Sequence, residues 1–247
     1  MFDGLSDGAL LALIGLGGGT MLGLAARLGR FCTLGAVEDM LYQNSDRRMR
    51  MWGLAIAVAA LGTFALIAAG ALDPARTMYH QAPLSPLASI LGGLIFGYGM
   101  SMAGTCGFGA LARAGGGDLR AAVIVLVMAV SSYIMLSGPL GALRVWLIEK
   151  TSLDTDLRSI PEALAHFTPV PALATGFGLA AALLLFVLSS ARFRQEKSSI
   201  FWGVVVGLTV AASWAGTYWV ISSGFSSDTA RSFTFSAPLG ETVLYLM

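Results

Sequence analysis

The sequence predicts an all-α integral membrane protein with about six transmembrane helices. Apolar residues make up 56% of its 247 residues, charged residues make up 12%, and the mean hydropathy is +0.75. Soluble domains usually carry about 25% charged residues, so a soluble core of this size could not cover so much apolar surface. The 31 glycines also favour a membrane protein, because small residues let membrane helices approach closely.

Six stretches are apolar and long enough to cross a bilayer. A membrane-spanning helix needs about 20 mostly apolar residues. In chain order the candidate spans are residues 9–28, 51–70, 87–104, 119–137, 170–191 and 200–222. Three parts follow from them: a first transmembrane half with two Cys-bearing hairpins, an outer connecting segment, and the start of a second half, at residues 1–139, 140–169 and 170–247.

The connecting segment 140–169 is predicted to form short interfacial helices. Apolar and charged positions alternate there at helical spacing, as in helices that lie in the membrane surface. Pro161 followed by Glu162 is typical of a first helical turn, since the missing N–H of proline costs nothing there.

The basic residues predict an outside N-terminus in the cell's inner membrane. With that orientation ten of the fifteen Lys and Arg residues lie in inner loops, as the positive-inside rule requires. These ten are Arg27, Arg30, Arg47, Arg48, Arg50, Arg113, Arg120, Arg192, Arg194 and Lys197.

Several classes of function are disfavoured. A net charge of +1 without a basic patch argues against nucleic-acid binding. The two cysteines, Cys32 and Cys106, lie neither in a CxxC pair nor near a histidine, so no metal site is predicted. The glycine-rich GLGGGT segment lacks the lysine of a phosphate-binding loop, and no cofactor is predicted.

Other polar side chains are expected to have structural or solvated positions. His80 and His166 fall in outer loops and are expected to be solvated and not catalytic, and Glu38 and Asp39 could be solvated loop charges on the inner side. Within the sixth span, helix–helix contacts are expected for Ser213, Trp214 and Tyr218.

Two glycine-rich turns interrupt the apolar pattern, and each contains one cysteine and a nearby arginine. The first, GRFCTLGAVEDM, contains Arg30 and Cys32, and the second, AGTCGFGALARAGGGDL, contains Cys106 and Arg113. Each directly follows an odd-numbered span, so the chain repeats a unit of span, Cys-bearing turn and return span. Short glycine-interrupted segments at corresponding positions are typical of transport sites.

The chemistry of these turns suits a small sulfur-containing anion. A short helix beginning after Gly104 or near Gly29 would direct free N–H groups toward its N-terminal end, which favours anions. A thiol in that positive field is a better proton donor, and its polarizable sulfur is a reasonable contact for another sulfur atom.

Structural explanations also apply to each feature. A single cysteine in a membrane helix is usually a small packing residue. Arg30 and Arg113 could serve only as positive-inside residues. The glycine runs 17–19 and 115–117 could be packing or hinge glycines.

At these two turns the sequence resembles the YeeE/YedE family of membrane sulfur-compound transporters. The second turn carries the more specific motif, a Gly-x-Cys-Gly-x-Gly-x-Leu-x-Arg-x-Gly pattern. Its matching positions are Gly104, Thr105, Cys106, Gly107, Gly109, Leu111, Arg113 and Gly115. The first turn adds Arg30, Phe31 and Cys32.

The resemblance implies two pseudo-symmetric halves with helical hairpins that dip toward the membrane centre. It implies uptake of thiosulfate or a related anion, passed between Cys32 and Cys106 by transient S–H contacts. Arg30, Gly104, Thr105, Gly107, Gly109 and Arg113 would line this path. It also implies a cytoplasmic sulfur-carrier partner of the TusA type.

The resemblance further implies a second half with its own Gly-Cys hairpin. No cysteine follows Cys106, so the chain is expected to lack the end of that half. An oligomer or a complementing subunit would then cover the exposed polar face.

Two alternatives to a transporter remain at this stage. A membrane thiol oxidoreductase could use Cys32 and Cys106 as a redox pair, although no CxxC motif is present. A helper subunit of a larger transporter would co-purify with a partner that carries the missing hairpin.

Overall fold

A computed structural model describes residues 6–81, 85–152, 159–167, 169–223 and 229–247. These residues are mainly helical, and the β-structure among them is a single bridge between Thr77 and Ala230. The predicted all-α fold is confirmed. In chain order the helices are α1 (Asp7–Arg27), α2 (Thr33–Tyr42), α3 (Arg47–Ala68), α4 (Met78–Gln81), α5 (Pro86–Ala103), α6 (Gly107–Gly115), α7 (Leu119–Leu136), α8 (Gly141–Thr151), α9 (Ile160–Phe167), α10 (Ala172–Leu188), α11 (Ala191–Gln195), α12 (Lys197–Ser223) and α13 (Ser236–Leu246).

Within the described residues, five helical stretches are long and apolar enough to cross a membrane, and the bent pair α9–α10 is a sixth candidate. The multi-pass prediction is therefore confirmed. One detail differs from the sequence prediction. The third candidate is a 30-residue stretch, Pro86–Gly115, that contains both α5 and α6. The turn at Cys106 therefore interrupts a candidate span instead of following it.

The chain forms two compact units, and each combines two separate stretches of sequence. The first unit joins Met1–Ala82 to Leu157–Phe233, and the second joins Pro83–Asp156 to Thr234–Met247. The predicted boundaries at residues 139 and 169 stay predictions. Helices α8 and α9 form in the predicted connecting segment, and α9 begins beside Pro161 as expected. Residues 153–158 and 168 of that segment lie outside the described residues.

Helix α3 is the centre of the first unit. It packs against α2, α10 and α12, while α1 packs on α12 and α9 on α10. The predicted contacts of the sixth span are confirmed, since Ser213 and Trp214 are buried in α12 and Tyr218 packs against the cluster around Trp214. Arg50 at the start of α3 donates hydrogen bonds to the carbonyls of Phe186 and Val187, at 2.9 and 3.1 Å. A cation is favoured there because α10 ends at these carbonyls.

Glycines allow α3 and α12 to approach closely. A Cβ on Gly207 would stand 2.7 Å from the carbonyl oxygen of Ala55 and 2.7 Å from Cβ of Val58. A Cβ on Gly203 would stand 3.1 Å from the carbonyl oxygen of Met51. Backbone atoms cannot move aside as a flexible side chain can, so this contact depends on glycine.

We expect Gly207→Ala to lower the stability of the first unit. The added methyl group would force α12 away from α3, and overpacking of this kind typically costs about 1–3 kcal/mol. Gly178→Ala in α10 is the matched control, because nothing lies within 4 Å of the added Cβ. Thermal unfolding in detergent should show a lower midpoint for Gly207→Ala alone. Equal midpoints would show that the α3–α12 contact does not depend on glycine.

The second unit is built on α7. Helices α6, α8 and α13 pack against it, and α5 contacts α8. Gly240 brings α13 against the backbone of Ser132 and Tyr133, since a Cβ there would lie 3.0 Å from both. No residue of α5 is buried, and its side chains include exposed Leu94, Ile95 and Tyr98. Such an apolar surface is stable in contact with lipid or with another apolar surface.

Candidate functional site

The first cysteine turn reverses the chain between α1 and α2. Arg30 adopts a left-handed backbone with φ +52, which is uncommon for a residue with a side chain. The following residue, Phe31, is buried, and its N–H donates to the carbonyl of Ala25 at 3.1 Å. The Phe31 ring packs on Trp52 with the ring centroids 4.3 Å apart. These contacts place Cys32 directly before the first residue of α2.

Cys32 is the N-cap of α2. Its backbone is extended, with φ −148 and ψ 127, and its carbonyl accepts from the N–H of Ala36 at 3.0 Å. The thiol makes no capping hydrogen bond to the described residues, and it is only partly buried. The first backbone N–H groups of α2 therefore donate no hydrogen bond to the Cys32 thiol.

The second cysteine turn lies between α5 and α6. Gly104 ends α5 in the left-handed region with φ +65, where glycine avoids the strain of a side chain. Thr105 is buried, and Cys106, 5% exposed, is the N-cap of α6. The N–H of Gly109 donates to Sγ of Cys106 at 3.3 Å. Because the sulfur accepts this bond, the S–H proton stays available to a further acceptor.

Gly109 is required by the packing of this turn. A Cβ on Gly109 would stand 2.6 Å from Oγ1 of Thr105 and 3.6 Å from Sγ of Cys106. Gly107, the first residue of α6, lies against Met128 on α7. A Cβ on Gly107 would stand 2.8 Å from Sδ of Met128. Two of the motif glycines therefore hold the Cys106 turn closely against its surroundings.

The two turns share one backbone pattern. In each, a left-handed residue stands two positions before the cysteine, a buried residue lies between the two, and the cysteine takes the N-cap position of a short helix. The left-handed residues are Arg30 and Gly104. The predicted start of a short helix at each cysteine is confirmed, since α2 has 10 residues and α6 has 9. The chain thus places a cysteine at the N-cap of a short helix twice, once in each unit, and the Cys106 thiol accepts a hydrogen bond there.

The predicted pathway residues differ in their distance from the thiols. Thr105, Gly107 and Gly109 lie beside Cys106, and Gly104 sets the turn. Arg113 is exposed in the last turn of α6, about 10 Å along the helix axis from its N-terminus. Arg30 is also exposed, and its left-handed backbone forms part of the turn before Cys32. Arg113 and Cys106 belong to one motif, but they lie at opposite ends of α6.

Asp39 is not a solvated loop charge, and the sequence prediction for it was wrong. Its side chain is 7% exposed, and its Oδ2 lies 3.0 Å from Nε of Arg48. The reason is that α2 folds back onto the start of α3 and buries this face. Glu38, its neighbour, points to the exposed side as predicted.

His80 is partly exposed, and its side chain also has a partner. Its Nε2 lies 2.9 Å from Oε1 of Glu162, and the pair borders a cavity of about 300 Å³ in the first unit. The walls are mostly apolar and include Phe64, Leu173 and Trp214. His166 is exposed, as predicted. Among the residues that the structure describes, no group of three potential His, Cys, Asp or Glu ligands could hold a metal ion.

Comparison with known proteins decides the family. A family model described as "Sulphur transport" matches residues 28–247, which include both cysteine turns. The chain belongs to this sulphur transport family. Its members are transport proteins, so the prediction of a membrane transporter and not an enzyme is confirmed. The redox-pair alternative for Cys32 and Cys106 finds no support in this membership.

One curated relative is the thiosulfate transporter TsuA of Escherichia coli (strain K12). It is 35% identical over 127 residues, which cover 51% of this chain and 35% of the relative. The aligned part is thus about a third of the length of the relative. The predicted resemblance to sulfur-compound transporters is confirmed at the level of the family.

Proposed function

We propose that the chain takes up thiosulfate or a related small sulfur-containing anion across the inner membrane. The observation that carries this proposal is the repeated cysteine at the N-cap position of a short helix. Cys32 and Cys106 each take the N-cap position of a short helix, where backbone N–H groups are exposed at the helix end, and at Cys106 one of them donates to the thiol. Such helix ends attract anions without any side-chain charge. Membership of the sulphur transport family and the similarity to a thiosulfate transporter support the choice of anion.

The thiols act as hydrogen-bond donors to the terminal sulfur of the anion. At Cys106 the sulfur already accepts from Gly109, so its proton is directed to another acceptor. Each thiol holds the anion through weak S–H contacts, and no covalent bond forms or breaks. Weak contacts suit transport, since a site that binds too tightly would not release its ion.

The remaining pathway residues shape the two turns. Gly104, Thr105, Gly107 and Gly109 hold Cys106 at the start of α6, and Arg30 gives the Cys32 turn its left-handed step. Arg113 lies at the far end of α6 and would attract the anion on the inner side.

The orientation and partners belong to the same proposal. The distribution of basic residues supports an outside N-terminus. A cytoplasmic sulfur-carrier protein of the TusA type would then receive the anion at the inner end. A second copy or a complementing chain would cover polar surface of the path that would otherwise face lipid.

Growth on a defined sulfur source tests the function. The chain is produced in bacteria that lack their own thiosulfate uptake, with thiosulfate as the only sulfur source. We expect growth to be restored, while growth on cysteine is equal with and without the chain. Thiosulfate growth that stays at background, with normal amounts of chain in the membrane, would contradict the proposal.

A further inference from the structure

The buried ion pair between Asp39 and Arg48 lies outside the proposed set of pathway residues. Asp39 is 5% exposed, and its carboxylate contacts Nε of Arg48 at 3.0 Å. Charged residues in membrane proteins are costly to bury and usually have a functional partner. The neighbouring arginines are already used elsewhere, because Arg47 faces Glu196 at 3.5 Å and Arg50 caps α10.

The position of the Arg48 guanidinium links this pair to the first thiol. A Cβ placed on Gly35 would collide with Nη1 of Arg48 and would stand 3.8 Å from Cβ of Cys32. The guanidinium and the cysteine therefore flank the same point on the first turn of α2. Gly35 leaves the space that the guanidinium occupies, so a larger residue there is incompatible with this arrangement.

The pair is oriented so that its positive member is nearer to the thiol. Asp39 lies seven residues after Cys32, about 10 Å along α2, whereas the guanidinium reaches Gly35. The carboxylate is buried behind it. Nε of Arg48 is buried against the carboxylate of Asp39, so this N–H is closed to solvent and to another anion. The Nη1 end of the guanidinium lies against Gly35 and is the part of Arg48 on the side of the thiol.

We propose that Asp39 and Arg48 are positioning residues for the Cys32 thiol. Asp39 holds the guanidinium over the first turn of α2, and Arg48 supplies the positive charge that selects an anion at this thiol. The inference rests on the proposed function, since it names the charge that recognises the substrate there. It predicts an anion-selective environment at Cys32 that can be measured without transport.

Thiol labelling by two oppositely charged reagents tests this inference. In a Cys106→Ser background, Cys32 is the remaining thiol of the detergent-solubilised protein. Its thiolate attacks a methanethiosulfonate reagent, a disulfide forms, and methanesulfinate leaves. We measure the rate with an anionic sulfonatoethyl reagent and with a cationic trimethylammonioethyl reagent. The fraction of Cys32 present as thiolate affects both rates equally, so it cancels in their ratio. The ratio therefore reports the electrostatic field around Cys32.

We expect the anionic reagent to react faster, and Arg48→Gln to lower the ratio about tenfold, as the loss of a charge this close should. Arg47→Gln is the matched control, since it removes the same charge one position away and should change the ratio by less than about twofold. In the swapped variant Asp39→Arg with Arg48→Asp the ion pair returns, yet the ratio should stay low.

Three outcomes would overturn the inference. In the first, Arg48→Gln has the same ratio of anionic to cationic labelling rates as the parent. In the second, the swapped variant has the parent ratio. In the third, neither reagent labels Cys32. If the parent protein shows the anionic preference but takes up no thiosulfate, the proposed function fails while the anion-selective charge at Cys32 stands.

Discussion

Replacing Cys106 by alanine should abolish thiosulfate-dependent growth while the protein still inserts into the membrane. The thiol is the donor to the anion at the start of α6, and the thioether sulfur of Met128 beside Gly107 carries no proton to donate. The turn itself also depends on Gly104 and on its packing, so the fold should survive the change. Growth on thiosulfate and the amount of protein in membranes are the two measurements.

Cys106→Ser separates the thiol from its capping role. A serine oxygen accepts the Gly109 N–H at least as well as sulfur does, so the end of α6 should be preserved. Uptake should still be lost, because the smaller, harder oxygen replaces the polarizable sulfur. Thiosulfate growth of Cys106→Ser at the parent level would show that the cysteine serves only as a helix cap.

Gly109→Ala should lower thiosulfate uptake by about 10- to 100-fold. The added methyl group would stand 2.6 Å from Oγ1 of Thr105 and 3.6 Å from Sγ of Cys106, so the Thr105 side chain must move beside the thiol. Misplacing a positioned group by about 1 Å can cost about a hundredfold in function. Initial uptake rates of labelled thiosulfate, normalised to protein in the membrane, measure this effect.

Gly115→Ala is the matched control for Gly109→Ala. Gly115 is in the same helix, nothing lies within 4 Å of its added Cβ, and alanine favours the helix. Its uptake should equal that of the parent. If both variants kept the parent rate, the close packing around Cys106 would be irrelevant to transport.

The spans and the thiol turns were predictable because each leaves a local signal. About 20 consecutive apolar residues indicate a span without knowledge of neighbours. The short helices after Cys32 and Cys106 follow from the glycine-rich breaks and the polar residues beside them. The left-handed step at Arg30 was not predictable, since it is imposed by the burial of Phe31 against Trp52.

The long-range contacts were not predictable from the sequence. In the sequence, Asp39 and Glu38 are two adjacent acidic residues with no feature that separates them. The packing of α2 on α3 buries Asp39 and leaves Glu38 exposed. His80 meets Glu162 across 82 positions of sequence. The division into units is also non-local, because residues 234–247 join 83–156 through the contact of α13 with α7.

Uptake into reconstituted vesicles tests the central claim most directly. The purified chain is inserted into lipid vesicles, and entry of labelled thiosulfate is measured with and without unlabelled thiosulfate and sulfate as competitors. We predict saturable uptake that unlabelled thiosulfate competes more strongly than sulfate, and no uptake when Cys32 and Cys106 are both serine. Uptake by the double variant at the parent rate, or no uptake by the parent chain, would contradict the account.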